Sequence, residues 1–202
     1  MSKIKLFSLG GLNEVGKNIY CIDVDKDLFI FDCGLKYANE NLYGIDYIIP
    51  DFEYLVKNKK RIKGVFLTHG HYENIGAVSD LLKEIPNLKV YATKFTKYIL
   101  VNDGVNEKNI IEIKPHKKLN FGSVSVFPIN VSHSVPDSVM YVINTKDSSN
   151  GSTAVYVEPD DADKSFKYVD FNIKNMQRIV YLERPLIDPE KSPMELKWET
   201  KT

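Results

Sequence analysis

The chain has 202 residues, 43% hydrophobic and 27% charged, a composition that excludes a disordered segment and supplies enough apolar side chains for a sizeable core. Basic and acidic residues number 27 each, so the formal net charge is zero and no global basic field marks the chain as a nucleic-acid binder. The absence of any run near the roughly 18 apolar residues of a membrane helix, a start that reads as a strand and not as a signal peptide, and two cysteines outside any C-x-x-C pair point to the cytoplasm and away from a membrane.

Short β-branched and aromatic runs bounded by Gly, Asn and Asp predict strands over 4–9, 18–24, 28–31 and 65–68. Between them, apolar spacing predicts helices over 52–60 and 75–85, the second stopped by Pro86. A strand over 88–91 and a helix over 94–101 follow, and then strands over 110–113, 123–131, 139–144, 153–157 and 179–182, with a turn-rich break at 146–151. This order fits two packed sheets covered by helices better than a doubly wound parallel sheet, which needs regular strand–helix alternation. One domain is expected over 1–184, and 185–202, holding three of the nine prolines, reads as a linker or loosely held tail.

Two features read as structural. The segment from Gly11 to Asn18 has the spacing of a phosphate-binding loop, but Asn18 stands where a magnesium-holding Ser or Thr is needed, and a strand follows in place of a helix. A glycine turn between two strands is the expectation. The basic run 57–61 reads as a solvated helix end.

The chemistry concentrates where the strand Val65-Phe66-Leu67-Thr68 runs directly into His69-Gly70-His71, with Glu73 and Asn74 just beyond. Two histidines one residue apart at a strand end can face one point, with Gly70 letting the backbone turn. Asp32, which closes the 28–31 strand, and His133, which closes the 123–131 strand, can converge on the same place. Three histidines and a carboxylate suit zinc. His116, beside Pro115, reads as an ordinary hydrogen-bonding histidine.

His69-x-His71 after an apolar strand resembles the metallo-β-lactamase superfamily motif, whose full form is His-x-His-x-Asp-His. Four segments in order narrow the likeness to the ribonuclease J family: 10–18 (Gly-Gly-Leu-Asn-Glu-Val-Gly-Lys-Asn), 43–51 (Tyr-Gly-Ile-Asp-Tyr-Ile-Ile-Pro-Asp), 67–71 (Leu-Thr-His-Gly-His) and 133–138 (His-Ser-Val-Pro-Asp-Ser). The resemblance covers roughly residues 3–145. It implies an α/β (α+β) fold, a four-layer αββα sandwich of which this is the amino-terminal part, with the β-CASP domain not present in this chain. It further implies a ribonuclease of RNA processing and decay that uses two metal ions, RNA as partner, and His69, His71 and His133 as ligands of the first metal.

The departures from the motif fall on the second metal. Glu73 and Asn74 occupy the positions of the motif's aspartate and last histidine; glutamate keeps a carboxylate, here the candidate catalytic one, while asparagine offers only a neutral amide. Asn74 and Asp32 are then expected to orient other groups. Near 154–160 the family has an aspartate that bridges both metals, but Pro159 cannot ligate, which leaves Glu158 and Asp160 as shifted ligands. The resulting expectation is at most one tightly held zinc ion, or none. His-Gly-His-x-Glu-Asn resembles the less active ribonuclease J paralogue, so the expected role is a weakly active or inactive subunit that associates with an active paralogue, with RNA or with itself. A single-zinc hydrolase and a metal-free structural module are the alternatives.

Overall fold

The computed structural model describes residues 4–39, 41–147, 151–157 and 176–182, with side chains described for 4–39 and 41–145. Glu158, Asp160 and the 185–202 segment lie outside the described residues.

The first sheet has six strands in the order β1-β2-β3-β6-β7-β8: β1 (Ile4–Gly10), β2 (Ile19–Val24), β3 (Asp27–Phe31), β6 (Ile62–Phe66), β7 (Val90–Ala92) and β8 (Ile110–Glu112). Its first three strands pair antiparallel, and β3, β6, β7 and β8 pair parallel. The parallel half is connected through helices α1 (Glu53–Lys57), α2 (Tyr72–Ile75), α3 (Val78–Glu84) and α4 (Lys94–Asn102). The second sheet runs β13-β12-β11-β10-β9, built from β9 (Leu119–Phe121), β10 (Val124–Asn130), β11 (Val139–Asp147), β12 (Gly151–Val157) and β13 (Met176–Leu182). A two-stranded ribbon of β4 (Lys36–Tyr37) and β5 (Tyr47–Ile48) stands apart. The expectation of two sheets with helices is met, although the first sheet carries a larger parallel share than the sequence suggested. Among the described residues no helix is long and apolar enough to cross a membrane.

Strand periodicity divides the core into two compartments. On β2 and β3, Ile19, Cys21, Leu28 and Ile30 face the helices and pack with Leu55, Ile75, Val78, Leu81 and Leu100. Their alternates Ile22, Val24, Phe29 and Phe31 face the second sheet and meet Val124, Val126, Val139, Tyr141 and Ile143. Phe29, Phe31 and Phe66 are completely buried there, each such ring contributing on the order of 1.5–3 kcal/mol. Both cysteines are free and buried. Burial pushes the Cys21 thiol up to about 12 and the Cys33 thiol well above its ordinary value, so neither offers a thiolate.

Tyr141 joins the sheets. Its ring lies against Phe31 and Phe66, and its hydroxyl donates to the Leu67 carbonyl at 2.7 Å. Tyr141→Phe keeps the ring but strips a donor from that buried carbonyl, and a loss of about 1–3 kcal/mol in urea unfolding is expected. An unchanged midpoint would show that the hydroxyl does not join the layers.

Two predicted helices are shorter than their apolar spacing suggests. The expected 75–85 helix is two helices, because the Ala77 N–H bonds to the Cys33 carbonyl at 2.9 Å and leaves the helical ladder. Gly76 stands at the break because a Cβ there would run into Leu35. The expected 52–60 helix ends at Lys57 and is followed by a 3-10 turn, Lys59–Arg61. Arg61 is not simply solvated: its guanidinium pairs with Asp23 at 2.5 Å and donates to the Asp25 carbonyl, tying this turn to the β2–β3 hairpin. The 10–18 segment is, as expected, a glycine turn between antiparallel strands, with Gly11 and Gly16 at φ 81° and 89°.

Candidate metal centre

The site forms where β3 and β6 end side by side. Beyond the last paired residues the ladder continues for one bond, Asp32 N–H to the Phe66 carbonyl at 3.0 Å. The Asp32 side chain then replaces the backbone as acceptor: Oδ1 takes the Thr68 N–H at 2.8 Å. Asp32 adopts φ 59°, which Asp tolerates better than most residues, and is 1% exposed. The strand pair thus terminates on a buried carboxylate, and the chain from Thr68 turns across the sheet end carrying His69 and His71.

The second sheet supplies the third histidine. The Val139 N–H donates to the Thr68 carbonyl at 2.9 Å, and the Val131 N–H donates to Ser138 O at 3.1 Å, closing the 131–138 loop over His69. Asp137 takes the Phe95 N–H at 3.1 Å in the first turn of α4, so the loop is held at both ends.

His69 Nε2 lies 2.9 Å from His71 Nδ1, and His71 Nδ1 lies 3.3 Å from His133 Nε2. All three ligand atoms fall within 4.8 Å of one another, with ring centroids 4.4–5.0 Å apart. Zinc–nitrogen bonds of ~2.0–2.1 Å at tetrahedral angles place ligand nitrogens about 3.3 Å apart. The donor set therefore fits a metal ion bound by three imidazoles, and among the described residues no fourth His, Cys, Asp or Glu joins them. Burial first, and the His133 and His71 rings second, push the His69 pKa down to about 3, which keeps that ring neutral and able to ligate at neutral pH.

Behind His69 runs a chain of hydrogen bonds. Thr68 Oγ1 lies 2.9 and 3.0 Å from the two Asp32 oxygens and 2.9 Å from His69 Nδ1. A hydroxyl has one proton, and the carboxylate is the stronger acceptor, so Oγ1 donates to Asp32 and accepts from His69 Nδ1–H. This assignment leaves the Nε2 lone pair of His69 facing His71 and His133. Asp32 is therefore linked to His69 through Thr68.

Asn74 is 3% exposed and belongs to the same network. Its Nδ2 donates to Asp32 Oδ2 at 2.8 Å, and its Oδ1 accepts from Asn18 Nδ2 at 3.4 Å. The only atom through which an asparagine binds metal is thus turned toward Asn18. Glu73 lies in the first turn of α2, half-buried, and among the described residues neither it nor Asp32 joins the three-histidine group. His116 is exposed on a distant loop against Phe127.

Sequence reading gave no role to Thr68, Asn18 or Gly34. The signal for Thr68 is its place between an apolar strand and the first histidine; Asn18 and Gly34 carry no local signal, because their roles depend on a three-way approach of distant segments. The Gly34 N–H bonds to Asn18 O at 2.9 Å, and an added Cβ would fall on the Glu73 carbonyl. Gly70, expected to serve a turn, instead serves space: its φ is not left-handed, and a Cβ there would lie 2.6 Å from Ile99 Cδ1.

Residues 12–159 match the family pattern described as the metallo-beta-lactamase superfamily. Among curated relatives, "Ribonuclease J 2" of Staphylococcus epidermidis is 39% identical over 148 residues, 70% of this chain and 26% of its own length. "Ribonuclease J2" of Bacillus subtilis is 41% identical over 141 residues, 67% of this chain and 25% of its own length. The chain thus spans about a quarter of the length of these relatives. Among solved structures, a protein of unknown function from Enterococcus faecalis V583 aligns with TM-score 0.57 at 18% identity, over 76% of this chain and 43% of that one. A B3 metallo-β-lactamase with an active-site glutamic acid aligns with TM-score 0.51 at 17% identity, over 78% and 63%. These structures share the fold, and by the superfamily pattern and the identity to the sequence relatives the chain belongs to the metallo-β-lactamase superfamily and, within it, to the ribonuclease J family.

Proposed function

We propose that the chain is a ribonuclease J-like component of RNA processing and decay whose site holds one zinc ion on His69, His71 and His133, and that it acts chiefly as a weakly active or inactive subunit beside an active paralogue. The observation that carries this reading is the use made of Asn74: its amide is committed to Asp32 and Asn18, so the residue that replaces the motif's last histidine gives nothing to a second metal. Glu73, two residues beyond His71, is assigned the general acid–base role in whatever activity persists. Bound there, zinc would supply Lewis acidity and a water of lowered pKa. The protein's own part is to keep His69 in one tautomer through Thr68 and to leave the fourth position open. Free, buried thiols are in keeping with a cytoplasmic setting.

Three imidazoles with no fourth His, Cys, Asp or Glu beside them among the described residues support a second reading, a single-zinc hydrolase that works alone with water in the fourth position. Decay of 5′-monophosphorylated single-stranded RNA, with zinc supplied, separates the two. The subunit reading expects little decay by the chain alone and a change in rate or binding when an active ribonuclease J is added. Rapid decay by the isolated chain, abolished by His69→Ala, selects the hydrolase.

A further inference from the structure

The residue that departs most from the family motif, Asn74, is buried against a carboxylate rather than left idle in a vacated ligand position. Its Nδ2–H meets Asp32 Oδ2 at 2.8 Å, Asp32 receives Thr68 Oγ1 at 2.9–3.0 Å, and Thr68 Oγ1 receives His69 Nδ1–H at 2.9 Å. Each link has one chemically allowed direction: a carboxylate accepts, an amide nitrogen donates, and a hydroxyl that donates once must accept at its other contact. The Asp32 carboxylate therefore sets the direction of the chain, and the Asn74 amide is one of the donors that hold that carboxylate.

We infer that Asn74 is a positioning residue for the three-histidine metal site, holding Asp32 so that Thr68 fixes His69 with its Nε2 lone pair toward the metal. The inference rests on the reading of the three histidines as a metal site and adds to it that the Asn74 substitution supports the remaining metal position. A histidine at 74 is bulkier than the carboxamide and is tied less firmly to donating at the Asp32 side, since a neutral ring carries one N–H and has two tautomers. Asn74→His therefore weakens the first site instead of rebuilding the second.

The test uses the full 202-residue chain, zinc as the probe and two readouts independent of catalysis. Ring nitrogen resonances of His69 in the metal-free protein report its tautomer, and competition with a chromophoric chelator reports zinc affinity. The wild type is expected to show His69 protonated at Nδ1. Asn74→Ala and Asn74→His are expected to lose that single tautomer and to bind zinc about 10–100-fold more weakly. Thr68→Val, which cuts the same chain one link further on, is expected to do likewise, whereas Thr68→Ser keeps the hydroxyl and wild-type behaviour. In the Thr68→Val background, Asn74→Ala should cost little more, because the two act in series. Should the Asn74 variants fail to fold, zinc titration of the wild type decides: the Asn74 side-chain amide resonances move with His69 if the chain is coupled, and stay fixed if it is not.

An unchanged His69 tautomer and zinc affinity in the Asn74 variants, or a second tight zinc in Asn74→His, overturns this inference alone. A wild-type chain that takes up no zinc overturns the metal reading and this inference with it.

Discussion

Gly34→Ala is expected to be among the most damaging single substitutions in the chain, costing on the order of 4–5 kcal/mol or preventing soluble folding. The cause is backbone, not side chain: the new methyl would overlap the Glu73 carbonyl, which no rotamer change relieves. That carbonyl also accepts the Asn18 N–H at 3.0 Å, while the Cys33 N–H donates to Asn74 O at 2.7 Å and the Leu35 N–H to Tyr72 O at 3.0 Å. Pushing the 72–74 backbone away breaks these contacts together and carries Asn74 off Asp32. Chemical denaturation and zinc uptake should fail in parallel. A variant that unfolds within about 1 kcal/mol of wild type, a range typical of mild substitutions, would show that α2 is free to shift and that the three-segment contact does not define the site.

The second large effect concerns catalysis. On the one-metal reading proposed above, the charge developing on the phosphate and leaving oxygen in RNA cleavage would lack a second stabilising cation, so the isolated chain is expected to degrade 5′-monophosphorylated RNA orders of magnitude more slowly than a two-metal relative. The double change Glu73→Asp and Asn74→His, which restores the motif on paper, is expected to give no rescue. It removes the amide that donates to Asp32, and it does not restore the bridging aspartate that the resemblance leads one to expect near 154–160. Activity rising a hundredfold or more in the double variant would falsify this account of the lost second site.

The sequence carried the histidine centre well, and the reason is local: Asp32 directly follows β3, His69 and His71 come shortly after β6, and His133 shortly after β10, so all four sit just beyond strand ends. The apolar run of β3 read as a strand, but that one of its faces packs on helices and the other on a sheet became clear only from the fold. What the sequence hid were contacts fixed by tertiary approach. Helical spacing over 75–85 is continuous, yet the Ala77 N–H leaves the ladder for Cys33, a partner that periodicity does not reveal. Asn74 read as a lost ligand because the motif supplies only the absence of a histidine; its amide bonds to Asp32 and Asn18 appear only once β3, the glycine turn and α2 are brought together.

The most direct test of the central claim is the metal content of the chain purified without added metal and then dialysed extensively against zinc-free buffer after zinc loading. One zinc per chain is expected, falling to none in His69→Ala, as a site built on three imidazoles requires. Two zinc ions per chain would show that Glu73 and other carboxylates rebuild the second position, and none would show that the three histidines only pack; either result contradicts the one-metal account.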